Sequence, residues 1–455
     1  VPSSRRRNQK LRALLAEAQW TQAALARSVN ALAAEIGLDL HYDRTGVAHW
    51  LSGTQPAPPV PDLIAESLTR RLGRAVSPGA AGLLSPPCTP PAGRPAEGGS
   101  PAGTALTDAC ALESDPTRRT AARLEPYREA ELAKLADDQH ERSPRPPVPH
   151  GGADDGELAV VRFAVRFYAT SFNAHGGGSA RSALAAYLAD DIAPRLREPD
   201  GDAAHRGLLV EASRLSFLLA RMYQDASVHG LAQRHFTTAL RLAEESGDPT
   251  ARAVVLRGLS AQGLALGHRR MALDAAEAAV AAARAPHAAT QAFLASQLAV
   301  AQAACGVRRA ALASLGVAER ALEAQQRGAG PGGPFAAYSR ASLAFQSAEV
   351  LRHTGDPAAA RTELHRSLAR RADDDHRGLA LSYARHAEIL VGLGHVEEAC
   401  ASWNSFLDHY VHLRSGSADL AAARLRKLLI SFRRVPAAAA VLHRTCAMTQ
   451  PAQRC

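Results

Sequence analysis

From Glu157 onward, apolar residues recur at helical spacing, and the pattern repeats. Four Gly-to-Ala intervals are identical: Gly267 to Ala272, Gly306 to Ala311, Gly355 to Ala360 and Gly394 to Ala399. Twelve residues before each of those alanines stands another small residue, Ser260, Ala299, Ala348 or Ala387. An earlier unit has Ala220 and Ala232, with Ser227 where the others have glycine. Four residues after the second small position comes Phe236, Leu315, Leu364 or Trp403, with Ala276 as the weak member. The spacing predicts helical hairpins. Paired small residues let the two helices approach closely at their crossing, the glycine supplies the positive φ that ends the first helix, and the large residue fills the groove against the next hairpin.

This grammar is similar to that of tetratricopeptide (TPR) repeats, in which helix–turn–helix units stack into a solenoid. The spacings are 39, 40 or 49 residues against about 34 in that family. Longer helices and loops, among them Gly328 to Pro334, absorb the difference. We expect about five repeats over 213–411 within a domain spanning 157–455, capped by a helix near Ser417 to Arg434. Aligning the first helices by the TPR pattern places Arg214, Phe217, Arg221, Gln224, Arg257, Ser296, Phe345, Glu349, Arg352 and Glu388 on a concave, peptide- or protein-binding face. Arg221 and Arg257 either clamp a peptide carboxylate or pair with acidic groups of neighbouring repeats.

Residues 8–76 read as four or five short helices around Leu11, Leu14, Leu15, Leu25, Val29, Leu32 and Ile36. Thr21 is a predicted N-cap, and Asp43 opens the segment Arg44 to Leu51, which stops at Ser52-Gly53. The runs Trp20-Thr21-Gln22-x-x-Leu25-Ala26 and Val47-x-x-Trp50-Leu51-x-Gly53 resemble an XRE-type (phage-repressor-like) helix-turn-helix. That resemblance implies a second helix that braces DNA and a third that enters the major groove. It places Gln22, Arg44, Thr45, Ala48 and His49 toward DNA, with Val47, Trp50 and Leu51 packed inward. Arg44 is the base-contact candidate, because a guanidinium reads guanine through two hydrogen bonds; its alternative is an ion pair with Asp43 or Asp39. Arg5, Arg6, Arg7 and Lys10 would meet phosphates or a minor groove. One departure is the extra segment Gly37 to Tyr42, longer than the usual turn of about three or four residues.

Between the two lies 77–156, with 13 of the 27 prolines. We expect an extended, disordered spacer there, interrupted by one helical island from Arg118 to about His140. The N-terminal domain, this linker and the repeats together resemble actinomycete transcriptional regulators, some of which repress sporulation and antibiotic production. The stretches carrying that resemblance are Tyr42 to Gly53, His175 to Gly178, and Gly230 to Leu240.

Composition supports an all-α fold: aromatics are 5% of 455 residues, so packing rests on Ala and Leu. The net charge of +9 divides as +4 over 1–76, −4 over 77–156 and +9 over the remainder. Charge therefore does not single out the small domain as the nucleic-acid binder. No run approaches the roughly 20 apolar residues a membrane span needs. Ser4 to Arg7 lacks the apolar stretch of an export signal, so a cytoplasmic location, at the nucleoid when DNA-bound, is expected. The six cysteines show no CxxC spacing, and inert thiols are expected. His409 and His412 are spaced as a possible metal pair, with only Asp408 beside them. Gly328 to Pro334 lacks the Gly-Lys-Ser/Thr ending of a phosphate loop. No catalytic constellation, metal or cofactor is expected.

Two readings follow. In one, the chain is a transcriptional regulator, a repressor of development or secondary metabolism by its resemblance, that binds double-stranded DNA and a peptide or protein ligand. Half-site geometry would make it a homodimer. In the other, it is a repeat adaptor whose N-terminal domain does not read DNA.

Overall fold

The computed structural model describes residues 7–83, 102–114, 116–129, 155–197, 203–283, 287–327 and 338–449. Every regular element among them is helical, so the fold is all-α. The chain divides into two compact units: 1–145 with 185–200 and 227–238, and 146–184 with 201–226 and 239–455.

The first unit begins with four helices: α1 (Gln9–Glu17), α2 (Gln22–Glu35), α3 (Arg44–Leu51) and α4 (Val60–Leu72). The expected caps are in place. Thr21 Oγ accepts from Ala24 N at 3.2 Å, and Asp43 Oδ1 accepts from Gly46 N at 2.9 Å. Leu11, Leu25, Val29, Val47, Leu63, Ile64 and Leu68 close the core. Val76, Ala81 and Leu83 belong to it too, because Asn8 donates to the carbonyls of Ala81 and Gly82 at 2.9 and 3.1 Å. The start of the proline-rich stretch is therefore part of the folded domain. Arg70 joins α4 to α2 through a two-pronged bond to Glu35 at 2.8 and 2.9 Å, and its Nε meets Glu66 at 3.0 Å.

Further along, α5 (Ala102–Ser114) and α6 (Pro116–Arg123) form where a single island from Arg118 was expected. Ala105, Leu106, Ala109 and Cys110 give α5 enough apolar surface to hold its place, and Leu106 is buried. Of the expected island, 130–140 lies outside the described residues, as do Pro144 to Pro147 and Gly328 to Pro334. Residues 124–129 are tied down: Gln233 bonds the N–H and C=O of Arg128 at 2.8 and 2.7 Å, and Arg234 grips Glu125 at 2.7 Å.

The second unit opens with α7 (Asp155–His175); α8 (Arg181–Tyr187) and α10 (His229–Ser246) each run across the division. Its repeats comprise α9 (Ala203–Asp225), α11 (Pro249–Ala265), α12 (Arg269–Ala282), α13 (Ala288–Ala304), α14 (Arg308–Arg327), α15 (Arg340–His353), α16 (Pro357–Leu368), α17 (His376–Gly392) and α18 (Val396–Tyr410). They pack as adjacent pairs: α11 with α12, α13 with α14, α15 with α16, and α17 with α18. All ten small crossing residues, from Ala220 to Ala399, are 0% exposed. At one crossing Ser260 Oγ donates to the Ala272 carbonyl at 2.6 Å, a distance that only a small residue on each helix allows. Gly267, Gly306, Gly355 and Gly394 have φ of 88, 81, 86 and 84°, and Ser227 adopts 62° in glycine's stead. After the repeats come α19 (Gly416–Leu429) and α20 (Pro436–Thr449), so the cap extends past Arg434. Helix α7 packs against both α9 and α17.

Candidate functional site

On α3, Arg44, Thr45, Ala48 and His49 are exposed while Val47, Trp50 and Leu51 are buried. The division follows from helical spacing and from what lies beneath. Tyr42 meets the Trp50 ring edge-on at 4.9 Å, which sets the inner face of the helix. The long α2–α3 connection is held by Asn30, whose amide donates to Tyr42 O and whose oxygen accepts from Tyr42 N, each at 2.9 Å. Gly37 to Tyr42 is thus an anchored extended segment without a strand, with Leu38 and Leu40 packed on the core.

Arg44 pairs with neither candidate acid among the described residues. Asp39 meets His41 at 3.3 Å, and Asp43 spends an oxygen on Gly46 N, a bond that holds its carboxyl below the usual range. Glu17, Glu35 and Glu66 are engaged by Arg74 and Arg70. The domain's acids are largely consumed inside the fold, which leaves Arg44 and Lys10 as exposed cations. Arg7 is exposed as well, and the next residue's N–H, that of Asn8, bonds Leu51 O at 2.9 Å. Arg7 therefore sits beside the C-terminal end of α3. Arg5 and Arg6 lie outside the described residues, and Gln22 is half-buried at the start of α2.

The concave-face residues sort into four groups. Ser296 and Phe345 are used in packing: Ser296 is sealed, donating to Phe293 O at 3.1 Å and accepting from Tyr338 at 2.8 Å, and Phe345 lies against the Ala348 cluster. Arg214 pairs with buried Glu211 at 2.7 Å, and Phe217 and half-buried Gln224 flank it along α9. Glu349, Arg352 and Glu388 form a ladder with Arg385 and Arg424: Glu349 meets Arg352 at 2.9 Å and Arg385 at 2.7 Å, while Glu388 meets Arg385 and, at 3.3 Å, Arg424. This ladder borders an open pocket of about 890 Å³ whose apolar floor includes Ile389, Val391, Leu428 and Phe432, with Lys427 at its rim.

Arg221 and Arg257 behave differently. Arg257 is 7% exposed, lies 3.9 Å over the Phe293 ring and donates from Nε to Phe293 O at 3.4 Å. Burial drives its pKa down to about 10. Half-buried Arg221 lies 5.1 Å from the centre of the Phe172 ring. Burial, then repulsion from Arg377 and Arg257, pushes its pKa down to about 9. Neither forms an ion pair among the described residues.

Arg377, which the repeat alignment missed, stands 4.5 Å over the same Phe172 ring and pairs with fully buried Asp225 at 2.8 Å. The signal was one register away: Arg377 and Tyr338 each precede their repeat's crossing alanine, Ala387 or Ala348, by ten residues. Arg385, Arg424 and Lys427 were also missed, the last two because α19 lies outside the repeat register.

The fold adds a third imidazole to His409 and His412. His376 stacks on His412 at 4.4 Å, and its Nδ1 lies 3.1 Å from that of His409. No group of three or more His, Cys, Asp or Glu among the described residues is arranged to hold a metal ion. Cys110, Cys305, Cys400 and Cys446 are free thiols. No described helix is long and apolar enough to cross a membrane.

A family profile described as the SP15 N-terminal domain matches residues 11–84, a span that takes in most of α1, all of α2 to α4 and Ala81–Leu83. No curated protein and no solved structure matches the chain.

Proposed function

We propose that the chain is a DNA-binding transcriptional regulator of the helix-turn-helix and TPR kind, whose repeat array binds a peptide or protein. The observation that carries this reading is the division of α3. One face is locked by Val47, Trp50 and Leu51, and the other presents Arg44, Thr45, Ala48 and His49 without an acidic partner among the described residues. An eight-residue helix of about 12 Å suits insertion into a major groove about 12 Å wide. Arg44 leads its N-terminal end, and Arg7 sits beside the other end. For the array, the supporting observation is the open pocket between α15, α17 and α19, apolar below and cationic at the rim.

The test is selection of duplexes from a random pool by the full chain, followed by affinity measurements across salt concentration. The reading expects an enriched motif and a steep fall in affinity with salt. Arg44→Ala should lose about 1–3 kcal/mol and relax the preference at one position. A pool that stays unenriched, with equal weak binding by wild type and Arg44→Ala, would leave the adaptor reading. The anchored but long Gly37 to Tyr42 connection favours that second reading, in which α3 contacts protein. Pull-downs with the second unit's partners would then be unaffected by Arg44→Ala.

A further inference from the structure

In the second unit, one cluster on α9, α11 and α17 holds more arginine than carboxylate among the described residues. Arg221 of α9 and Arg377 of α17 share the Phe172 ring, and Arg221 is repelled by Arg377 and by Arg257 of the neighbouring α11. Among the described residues one carboxylate, Asp225, acts on Arg221, and it is already engaged. One oxygen takes the Arg377 Nε at 2.8 Å and the other accepts from Gly177 N at 2.9 Å. No carboxylate acts on Arg257 among the described residues. Such a charge is costly to bury unless something pairs with it.

The donors are oriented, and most of them are unused among the described residues. Arg221 and Arg377 are held over the one Phe172 ring at 5.1 and 4.5 Å, and Arg257 is held over Phe293 at 3.9 Å. Tyr338 braces Phe293 edge-on at 5.5 Å. Aromatic faces fix each guanidinium plane without consuming its N–H groups. A guanidinium has five donors. Arg257 uses one of them, on Phe293 O, and Arg221 uses none among the described residues. Planar forks with unused donors match oxyanions through paired hydrogen bonds.

Charge selects among oxyanions. Three guanidinium charges less one carboxylate leave two positive charges. A monocarboxylate would leave one of these unpaired, whereas a dianion leaves none. We propose that Arg221, Arg257 and Arg377 form a receiving site for a phosphate monoester, carried either by a small molecule or by a phosphorylated peptide. The site rests on the repeat array being a ligand-binding surface and is independent of whether α3 reads DNA.

The experiment uses the full chain without DNA, so its failure and the failure of DNA recognition are separate results. Thermal unfolding is followed in sodium phosphate, sodium acetate and sodium chloride at one ionic strength and neutral pH. Phosphate should raise the melting temperature in a saturable way, and acetate should match chloride. Arg221→Gln and Arg257→Gln should each lose the phosphate effect, while Arg320→Gln, exposed on α14 and outside both the pocket and this cluster, should keep it. If either glutamine variant fails to fold by circular dichroism, Arg257→Lys keeps the charge, removes the fork and should weaken phosphate at least tenfold. Equal shifts in phosphate and acetate, or a phosphate effect that survives both glutamine variants, would overturn the site. A sugar phosphate and a phosphoserine peptide then compete for it. Tighter binding of either one than of inorganic phosphate supports the site and names the source.

Discussion

Replacing Arg257 with methionine should make this protein more stable, although it deletes a buried side chain's polar contacts. The residue is 7% exposed, and burial lowers its pKa from 12.5 to about 10. At about 1.36 kcal/mol per pKa unit, holding the cation there costs the folded state roughly 3 kcal/mol. The sign follows from linkage: a cation with a depressed folded pKa destabilises the fold at every pH below that pKa, so the whole cost is present at pH 7. Against it stand the contact with the Phe293 ring at 3.9 Å, about 2 kcal/mol when desolvated, and the long bond to Phe293 O at 3.4 Å, under about 1 kcal/mol. Methionine fills a similar volume, and its sulfur regains about 0.3–1.5 kcal/mol on the same ring. The balance favours Arg257→Met by about 1 kcal/mol, or roughly 2 °C in a domain of this size. Scanning calorimetry in phosphate-free buffer at neutral pH measures it. A melting temperature that falls by a few degrees would refute the reasoning, because it would mean that the cation is satisfied by the protein itself. Added phosphate should reverse the order, since only the wild type gains from binding. A residue that costs stability while empty and returns it when filled is what a binding site predicts.

Three further outcomes are expected. Asn30→Ala removes both bonds to Tyr42 and should cost about 1–3 kcal/mol in chemical denaturation of the first unit, with faster amide exchange confined to Gly37 through Asp43. Trp403 is fully buried and its indole N–H has no partner among the described residues. Trp403→Ala should therefore cost about 3–5 kcal/mol, whereas Trp403→Phe sheds an unsatisfied donor and should cost clearly less; equal losses would show that the ring's bulk is not what matters. Burial, then neighbouring Arg361 and His365, lowers the His386 pKa from 6.5 to about 4, and burial lowers those of His376 and His409. The unfolded chain thus binds protons that the fold refuses, so stability should fall as pH drops from about 6.5 toward 4. His386→Gln should flatten part of that slope in urea titrations at stepped pH.

Much of this architecture was legible because small-residue spacing is a local code with a direct physical consequence. A helix can approach another closely only where both are small, and Ser260 and Ala272, twelve residues apart, meet through a 2.6 Å bond at such a crossing. The turn glycines and the stand-in Ser227 followed from the same logic, since a hairpin needs a positive φ at its corner. The α3 division was equally readable, because a helix of known register has only one face that carries Val47, Trp50 and Leu51. The alignment of concave positions was less informative. It placed Ser296 beside Arg257 in register, yet neighbours close over one and leave the other's donors unused.

The sequence by itself determined what is periodic: helices, turns, crossings, the inner face of α3 and the cap residues Thr21 and Asp43. These depend on residues a few turns apart, where local sterics and hydrogen bonding decide. Tertiary structure decided what is aperiodic. Arg377 lies 156 residues beyond Arg221, and no local rule brings both to Phe172. That meeting needs α7 to pack against α9 and α17 at once. Nor could composition show that Asp225 would be spent on Arg377 and Gly177. The net charge of +9 is a property of the chain, but an uncompensated charge is a property of a place, because burial removes the water that would otherwise screen it.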